Sequence, residues 1–305
     1  MILTVTPNPA LDLTWVVDRI EIGGTHRAEA GAVRAGGKGL NVARVAHAEG
    51  VPVRAVTTAG GATGDELRAD LEASGVPHRL IPVAGETRRS AAWVDRALGD
   101  TTIVNERGVN PSTQEWARVV DVCREEVAAA SVLVISGSLP PGAPAGLLPE
   151  LIGVSAGIDV IVDTSGPGLL AAADAGAAVL KPNRAELVEA TGIADPVAGA
   201  RELLRRGAGL VLLSLGAEGL CAISDTELLR ARLPEPLAGN PTGAGDAAVA
   251  AAACLLAAGI RDTETIVRRA AAWSSAAVLM PLAGEISPRW RELENALIVE
   301  KPPSA

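Results

Sequence analysis

The sequence has no Phe and no Tyr, and among its 305 residues there are only five Trp and two Met. Hydrophobic residues still make up 48% of the chain and charged residues 21%, which is the composition of a folded globular protein. Its core must therefore be built from aliphatic side chains. With so few aromatic rings, binding of single-stranded nucleic acid by base stacking is not expected.

Runs of basic residues are also missing. The net charge is −9, which argues against DNA, RNA or an anionic membrane as a partner but not against a small anion. The longest run of small apolar residues, Ala247–Ala258, is too short to span a bilayer. The start, "MILTVTPNPALD", has no basic segment and is predicted to be a strand rather than a signal peptide.

Cysteine is scarce as well. The three cysteines are far apart in sequence and lack metal-binding spacing; they are Cys123, Cys221 and Cys254. We expect them to be reduced thiols, as in a cytoplasmic protein.

Short apolar runs alternate with stretches of helical periodicity. The predicted strands are Ile2–Thr6, Val53–Thr58, Val132–Ile135, Asp159–Val162, Ala178–Leu180 and Leu210–Leu213. Two of the predicted helices begin with capping-box pairs, Thr63 with Glu66 and Ser112 with Glu115. The alternation favours an α/β fold with a mostly parallel sheet. From Gly245 onward the pattern predicts only helices.

Two stretches lack helical periodicity, residues 16–33 and 88–105. The second alternates as a β-hairpin does, with its turn near Gly99 and Asp100. We interpret the two stretches as a small β-sheet beside the main one. An ordinary edge hairpin is the alternative.

Unusual peptides follow the predicted strands. They are "TPNPALD", "AGGATGDE", "SGSLPPG", "KPNRAE" and "SLGAEG". Each is a common turn composition, but all five fall at the carboxyl ends of parallel strands, where α/β proteins bind ligands.

The peptide "TGAGD", residues 242–246, precedes an alanine-rich helix. Gly243 and Gly245 allow backbone N–H groups to converge on one point, and the helix adds its positive N-terminal end. This pattern indicates an anion hole suited to a phosphate, with Asp246 beside it as a base that accepts a hydroxyl proton. A simple helix cap is the alternative for a single aspartate.

Two other nucleotide motifs are rejected. "GAGDAA" fits the dinucleotide fingerprint G-x-G-x-x-A, but no buried strand precedes it. "GGKG" at residues 36–39 resembles a phosphate loop, but Gly39 stands where Ser or Thr is required. Lys38 and the helix start behind it can still approach an anion.

"KPNRAE" places Asn183 and Glu186 three residues apart at a helix start, on one face. An amide and a carboxylate suit a Mg²⁺ ion that keeps its water ligands near phosphates. A helix-capping pair is the alternative.

Taken together, "NPALD", "GGKGLNVARV", "SGSLP", "KPNRAEL", "SLGAEG" and "NPTGAGD" resemble the ribokinase-like (PfkB) carbohydrate kinases across nearly the whole chain. Within that family they are most similar to the branch of 1-phosphofructokinase and tagatose-6-phosphate kinase. The resemblance implies a single ribokinase-like domain over residues 1–305, with a three-layer α/β/α core, a mostly parallel sheet and a small β-sheet lid. The lid is expected at roughly residues 12–35 and 87–107, inserted into the core.

The resemblance also implies site residues. Asp246 is the expected base. Catalysis is further assigned to Gly243, Ala244 and Gly245 as the anion hole and to Lys38. The expected sugar-binding residues are Asp12, Arg27, Gly37, Lys38, Asn41, Arg88 and Ser138. The expected nucleotide-binding residues are Lys181, Asn183, Ser214, Gly216, Gly219, Gly243 and Gly245. Asn183 and Glu186 are expected to organise Mg²⁺ through water, and Ser274 or its neighbours to touch adenine, although a buried helix face is the alternative there.

The activity that the resemblance implies is ATP-dependent phosphorylation of a ketohexose phosphate, with ATP and Mg²⁺ required. Fructose 1-phosphate is the first choice of acceptor. Tagatose 6-phosphate or fructose 6-phosphate kinase and a non-catalytic sugar-phosphate-binding regulator remain as alternatives. A homodimer through the lid is a further hypothesis, because exposed strand edges seek partners.

Overall fold

Two β-sheets and their flanking helices make up the computed structural model, which describes residues 1–155 and 157–302. The strands are β1 (Ile2–Thr6), β2 (Ala10–Val17), β3 (Ala32–Gly36), β4 (Val53–Ala59), β5 (His78–Pro82), β6 (Arg88–Asp95), β7 (Asp100–Asn105), β8 (Val132–Ser136), β9 (Asp159–Asp163), β10 (Val179–Leu180), β11 (Leu210–Ser214), β12 (Leu220–Ile223), β13 (Leu228–Arg232) and β14 (Ile298–Glu300). The helices are α1 (Lys38–Ala48), α2 (Gly61–Ser74), α3 (Thr113–Val127), α4 (Leu147–Gly153), α5 (Pro167–Asp174), α6 (Arg184–Thr191), α7 (Pro196–Arg206), α8 (Ala244–Ala257), α9 (Thr263–Val278) and α10 (Trp290–Ala296), with a 3₁₀ turn at Gly216–Glu218.

The main sheet has the order β14-β13-β12-β11-β10-β9-β8-β1-β4-β5. Its strands from β11 to β5 pair in parallel, and β12, β13 and β14 extend one edge in antiparallel pairing. The predicted α/β class is confirmed, and all six predicted strands are present. The prediction of helices alone after Gly245 is wrong at one place, because Ile298–Glu300 returns to pair with β13.

Helices cover both faces of this sheet. Alternate residues of each strand face opposite layers, so Val132 belongs to the core layer that contains α1, α8 and α9, while Leu133 belongs to the layer of α3, α4 and α5. The segment Ala247–Ala253 of α8 is fully buried, as expected of a helix that is apolar on all sides. The three-layer arrangement brings the strand ends and the start of α8 to the same edge.

The small sheet has the order β3-β2-β6-β7. Strands β2 and β6 pair in parallel over their whole length, while β3 and β7 form its two antiparallel edges. The second aperiodic stretch is a hairpin, as predicted, and its turn contains Gly99 with φ +65°. In the first stretch, strands β2 and β3 flank residues 18–31, which form no strand. We call this sheet the lid.

Helix starts test the capping predictions. Ser112 and Glu115 form the predicted capping box of α3. The Thr63–Glu66 prediction is wrong, because α2 already begins at Gly61. Thr63 is instead buried inside the helix and donates a hydrogen bond to the Thr87 carbonyl at 2.5 Å, which connects α2 to the residue preceding β6.

The predictions about membranes and thiols concern absences. Among the helices of the described residues, none is long and apolar enough to cross a membrane. Cys123 and Cys221 are buried free thiols, and Cys254 is a partly buried one.

Candidate active site

A cavity of about 1150 Å³ runs along the carboxyl ends of β1, β8, β9, β10 and β11, between the core and the lid. The residues predicted from the sequence that line it are Asp12, Gly37, Lys38, Asn41, Arg88, Ser138, Lys181, Asn183, Glu186, Ser214, Gly216, Gly219, Gly243, Ala244, Gly245, Asp246 and Ser274. Arg27 is not among its lining residues. It lies exposed in residues 18–31, and its part in sugar binding stays a prediction.

Asp246 stands in the first turn of α8, where the residue is 6% exposed. Its Oδ2 accepts a hydrogen bond of 2.7 Å from Asn41 Nδ2, which comes from α1. Burial, and next the charge of Asp163, raise the pKa of Asp246 to about 7. The carboxylate is thus fixed in direction and has the proton affinity of a general base at neutral pH.

The backbone at the start of α8 leaves amides unpaired. Gly243 caps the helix with φ +84°, a conformation that favours glycine. The Ala244 N–H donates to the Pro241 carbonyl at 3.2 Å. Within the described residues, the amides of Gly243, Gly245 and Asp246 have no acceptor. They form a cluster of unpaired donors at the positive end of the helix, which is suited to an anion.

Two lysines and a buried aspartate lie beside these amides. Asp163, at the end of β9, is fully buried, and its Oδ1 lies 3.1 Å from Lys38 Nζ and 3.7 Å from Lys181 Nζ. Its Oδ2 accepts from Ser136 Oγ at 3.3 Å. Burial raises the pKa of Asp163, but Lys181 and Lys38 outweigh burial and hold it below its ordinary value. The cluster thus stays charged inside the protein.

Lys181 is placed against the unpaired amides. A Cβ added at Gly245 would come within 3.1 Å of Lys181 Nζ, so glycine leaves room for the ammonium group at the helix start. Lys38 begins α1 and reaches both Asp163 and Glu186. Burial lowers the pKa of Lys38, but these two carboxylates outweigh it and hold the pKa above its ordinary value. Both lysines are cations that can face a phosphate.

Asn183 and Glu186 form the capping box of α6. Asn183 Oδ1 accepts from the Glu186 amide at 2.9 Å, and Glu186 Oε2 accepts from the Asn183 amide at 2.8 Å. The helix-capping alternative given for Asn183 and Glu186 therefore describes the contact that these two residues make with each other. Glu186 Oε1 remains directed to Lys38 Nζ, 3.5 Å away.

The lid end of the cavity carries Asp12 and Arg88. Asp12, on β2, packs over Gly36, and its burial raises its pKa to about 6 against the opposing charge of Arg88. Arg88 donates from Nε and Nη2 to the Asn8 carbonyl and from Nη1 to the Glu106 carbonyl. Burial lowers the pKa of Arg88. Arg88 is thus a guanidinium held firmly at the wall of the cavity.

Among the lining residues that the sequence analysis did not name as site residues, Asp163, Arg107 and Asn8 bear most on the site. Asp163 follows a predicted strand directly, so the strand-end argument applied to the others could have found it. Arg107 lies outside every motif, and its carbonyl accepts from Asn8 Nδ2 at 3.1 Å. Asn8 Nδ2 also donates to Ser138 Oγ at 3.2 Å, which joins the ends of β1 and β8.

Other lining residues of the cavity come from β11, the turn that follows it and α9. Ser214 at the end of β11 and the turn from Gly216 to Gly219 form one wall, and Ser274 on α9 faces the same space. The cavity therefore combines cationic residues under the lid with a wall that suits a nucleotide, and Asp246 lines the same space.

Residues 8–290 match the sequence model of a protein family, described as pfkB family carbohydrate kinase. The chain belongs to the pfkB family of carbohydrate kinases. This kinase is 34% identical over 309 residues to a 1-phosphofructokinase of Xanthomonas campestris, with 97% of each chain covered. It is 36% identical over 260 residues to an ATP-dependent 6-phosphofructokinase isozyme 2 of Mycobacterium tuberculosis, which covers 82% of this chain and 76% of the relative.

Among solved structures, the kinase superposes with a TM-score of 0.87 on the tetrameric inhibited form of phosphofructokinase-2 from Escherichia coli. The two are 31% identical, and 96% of this chain and 98% of that chain are covered. The ribokinase-like fold and the sugar-kinase class, both expected from the sequence motifs, are confirmed.

Proposed function

We propose that this kinase transfers the γ-phosphoryl group of ATP to fructose 1-phosphate and forms fructose 1,6-bisphosphate. The observation that carries the proposal is that Asp246 lines the same cavity as Arg88 of the lid and the unpaired amides of Gly243 and Gly245. The 1-phosphofructokinase relative, which covers nearly the whole chain, supports this choice of acceptor.

In this mechanism, Asp246 takes the proton of the sugar hydroxyl. The hydroxyl oxygen bonds to the γ-phosphorus, and the bond from that phosphorus to ADP breaks. Asn41 holds the carboxylate in direction by its 2.7 Å hydrogen bond. The amides of Gly243 and Gly245, with Lys38 and Lys181, stabilise the charge on the phosphoryl oxygens. Because phosphoryl transfer has a loose transition state, positioning and charge contribute more than the strength of the base.

The sugar binds under the lid. Asp12, Gly37 and Asn41 hold its hydroxyls, and Arg88 with Ser138 holds the phosphate it already carries. Arg107 supplies a further cation on the same wall. An unphosphorylated sugar or a nucleoside does not require this arginine pair, so the charges favour a sugar phosphate.

ATP fits the remaining space. The helix start accepts no side chain at Gly243, because an added Cβ would come within 2.9 Å of Ala283 Cα, and the free amides there suit a phosphate chain. Ser214, Gly216, Gly219 and Ser274 line the part left for the nucleoside.

Mg²⁺ fits only as an ion held largely by water and phosphates. No group of three or more His, Cys, Asp or Glu with metal-site geometry occurs among the described residues. Asn183 and Glu186 are therefore proposed to hold its water ligands, a mode that this ion favours. When bound, the ion neutralises phosphate charge.

Two alternatives remain. Tagatose 6-phosphate or fructose 6-phosphate would use the same cationic end, and the Mycobacterium tuberculosis relative is named a 6-phosphofructokinase. A sugar-phosphate-binding regulator without turnover is disfavoured, because Asp246, Asn41 and both lysines form an intact network.

We also propose that the lid mediates a homodimer. The lid carries exposed apolar side chains, among them Val16 on β2, Val33 on β3 and Val104 on β7, the last 57% exposed. Two open edges and an apolar surface favour pairing with a second lid. Light scattering should give twice the chain mass, and a Val104→Asp variant should give the monomer mass.

The acceptor is tested by incubating the pure protein with Mg-ATP and fructose 1-phosphate, fructose 6-phosphate, tagatose 6-phosphate, ribose or adenosine, with ADP release as the readout. We expect the highest kcat/KM for fructose 1-phosphate. A higher value for another acceptor would reassign the substrate within the kinase class. Sugar-phosphate binding without any turnover would favour the regulator.

A further inference from the structure

The loop of residues 281–285, between α9 and α10, contacts the phosphoryl-transfer site at two points. Ala283 lies so close to the N-cap of α8 that a Cβ added at Gly243 would come within 2.9 Å of both its Cα and its Cβ. Gly284 packs against α1, where an added Cβ would come within 3.2 Å of Asn41 Oδ1 and 3.0 Å of Arg44 Cδ. The loop therefore sets the position of the anion-hole glycine and of the amide that holds Asp246.

Arg34, on lid strand β3, holds this loop from the other side. Its Nη1 donates to the Ala283 carbonyl at 2.8 Å, and its Nη2 donates to Glu285 Oε1 at 2.7 Å. The side chains of Arg34 and Glu285 are 20% and 31% exposed. One planar guanidinium thus binds a backbone carbonyl and a carboxylate of the same loop. Lysine cannot reproduce this arrangement, because its ammonium group lacks two donors fixed in one plane.

Arg34 also adjoins the proposed sugar-binding carboxylate Asp12, although it does not line the large cavity itself. It is the register partner of Asp12 across the antiparallel pair β2–β3. Its charge, together with those of Arg88 and Arg44, opposes the rise that burial causes in the pKa of Asp12. The same side chain therefore adjoins the proposed sugar-binding carboxylate and the loop behind the anion hole.

The lid has a second, uncharged contact with this region. Thr101 Oγ1 on β7 donates to Asn240 Oδ1 at 3.1 Å, and Asn240 Nδ2 donates to the Pro281 carbonyl at 3.0 Å. Asn240 Oδ1 also accepts from the Thr242 amide at 3.0 Å. The lid is therefore bound to the anion-hole region at two separate places, and Arg34 supplies the charged one.

We propose that Arg34 is a positioning residue for phosphoryl transfer, which fixes the 281–285 loop from the lid and so aligns the Gly243 amide and the Asn41–Asp246 pair. This inference rests on the proposed kinase reaction. Since Arg34 does not itself line the large cavity, its loss disturbs the alignment of the transferring group more than the binding of either substrate.

The test is steady-state kinetics of Arg34→Gln, Arg34→Lys and Glu285→Gln with the acceptor that the wild-type enzyme turns over fastest. Deleting one anion-hole donor lowers kcat by about a hundredfold to a thousandfold, and a displaced donor loses part of that. We expect kcat of Arg34→Gln to fall at least about tenfold, with both KM values changed less than about threefold. Arg34→Lys should recover part of the loss, and Glu285→Gln should show a smaller fall in kcat.

The control is Arg96→Gln, which removes an exposed lid ion pair with Asp18 and should leave kcat unchanged, because the hydrogen bonds of Arg96 go to Val17 and Asp18 and not to the loop. A kcat of Arg34→Gln within about twofold of wild type would overturn the inference, as would a rise in sugar KM at unchanged kcat. If Arg34→Gln does not fold, Arg34→Lys and Glu285→Gln decide by the same criterion. A wild-type enzyme inactive on every acceptor refutes the proposed function instead.

Discussion

Asp163→Asn replaces the buried charge that joins the two lysines of the site. The new side chain has the same shape, so packing is kept while the carboxylate is lost. Lys181, whose side chain is 4% exposed, then lies 3.7 Å from a neutral group in a buried position. Lys38 loses a partner at 3.1 Å, but its side chain is 37% exposed and keeps Glu186 and water nearby.

The expected loss of stability comes mainly from Lys181. Removing one partner of a buried ion pair lowers the free energy of unfolding by about 3–5 kcal/mol. Solvent screens the contact with the half-exposed Lys38, so we expect a loss near the lower end, about 3 kcal/mol. For 305 residues, an unfolding entropy of about 0.6 kcal/mol/K converts this into a Tm lower by about 5 °C. The same change has a second readout: Asp163 raises the pKa of Asp246, so its loss should move the acidic limb of the kcat/KM profile to lower pH.

Scanning calorimetry and a pH series of kcat/KM test both effects in one variant. Asp174→Asn is the matched control, because Asp174 pairs with Arg206 at the surface, where solvent screens the ion pair and it adds little stability. A Tm of Asp163→Asn equal to that of the control, together with an acidic limb that stays in place or moves to higher pH, would refute the network described here.

The remaining predictions concern the two ends of the site. Arg88→Ala should raise KM for the sugar phosphate by at least about tenfold and lower kcat much less, since it removes binding common to ground and transition states; a fall in kcat alone would contradict the phosphate-binding role. For the wild type, kcat/KM should fall as pH drops below about 7, because burial and Asp163 raise the pKa of Asp246 to that value and the base must be ionised; a profile flat down to pH 5 would exclude Asp246 as the titrating base.

Apolar runs and glycine positions in the sequence were enough to predict the parallel strands and the "TGAGD" turn. Short, mostly apolar runs of three to six residues between turns have few other structures available in a chain of this composition. Gly243 adopts a positive φ at a helix start, and this requirement is visible in the sequence as a glycine. Such features depend on neighbours in the sequence, which is why they could be predicted.

The features that were missed depend on distant residues. Arg34 looks like any polar residue of an alternating strand, and only the fold brings it to Ala283, 249 positions away. Thr63 has the spacing of a capping residue, but the helix already begins at Gly61. The Thr63 hydroxyl donates instead to the carbonyl of Thr87, the residue before β6. Asp163 was detectable in principle, since it ends a predicted strand at the binding edge.

The central claim is that Asp246 is the base of a phosphoryl transfer to a bound sugar phosphate, and Asp246→Asn tests it most directly. Asparagine still offers an oxygen to Asn41 Nδ2, so the fold and the sugar site should persist. The account predicts a kcat about a thousandfold lower, equivalent to about 4 kcal/mol, while the Kd for fructose 1-phosphate by calorimetry changes less than about threefold. A variant that keeps wild-type kcat would contradict the account.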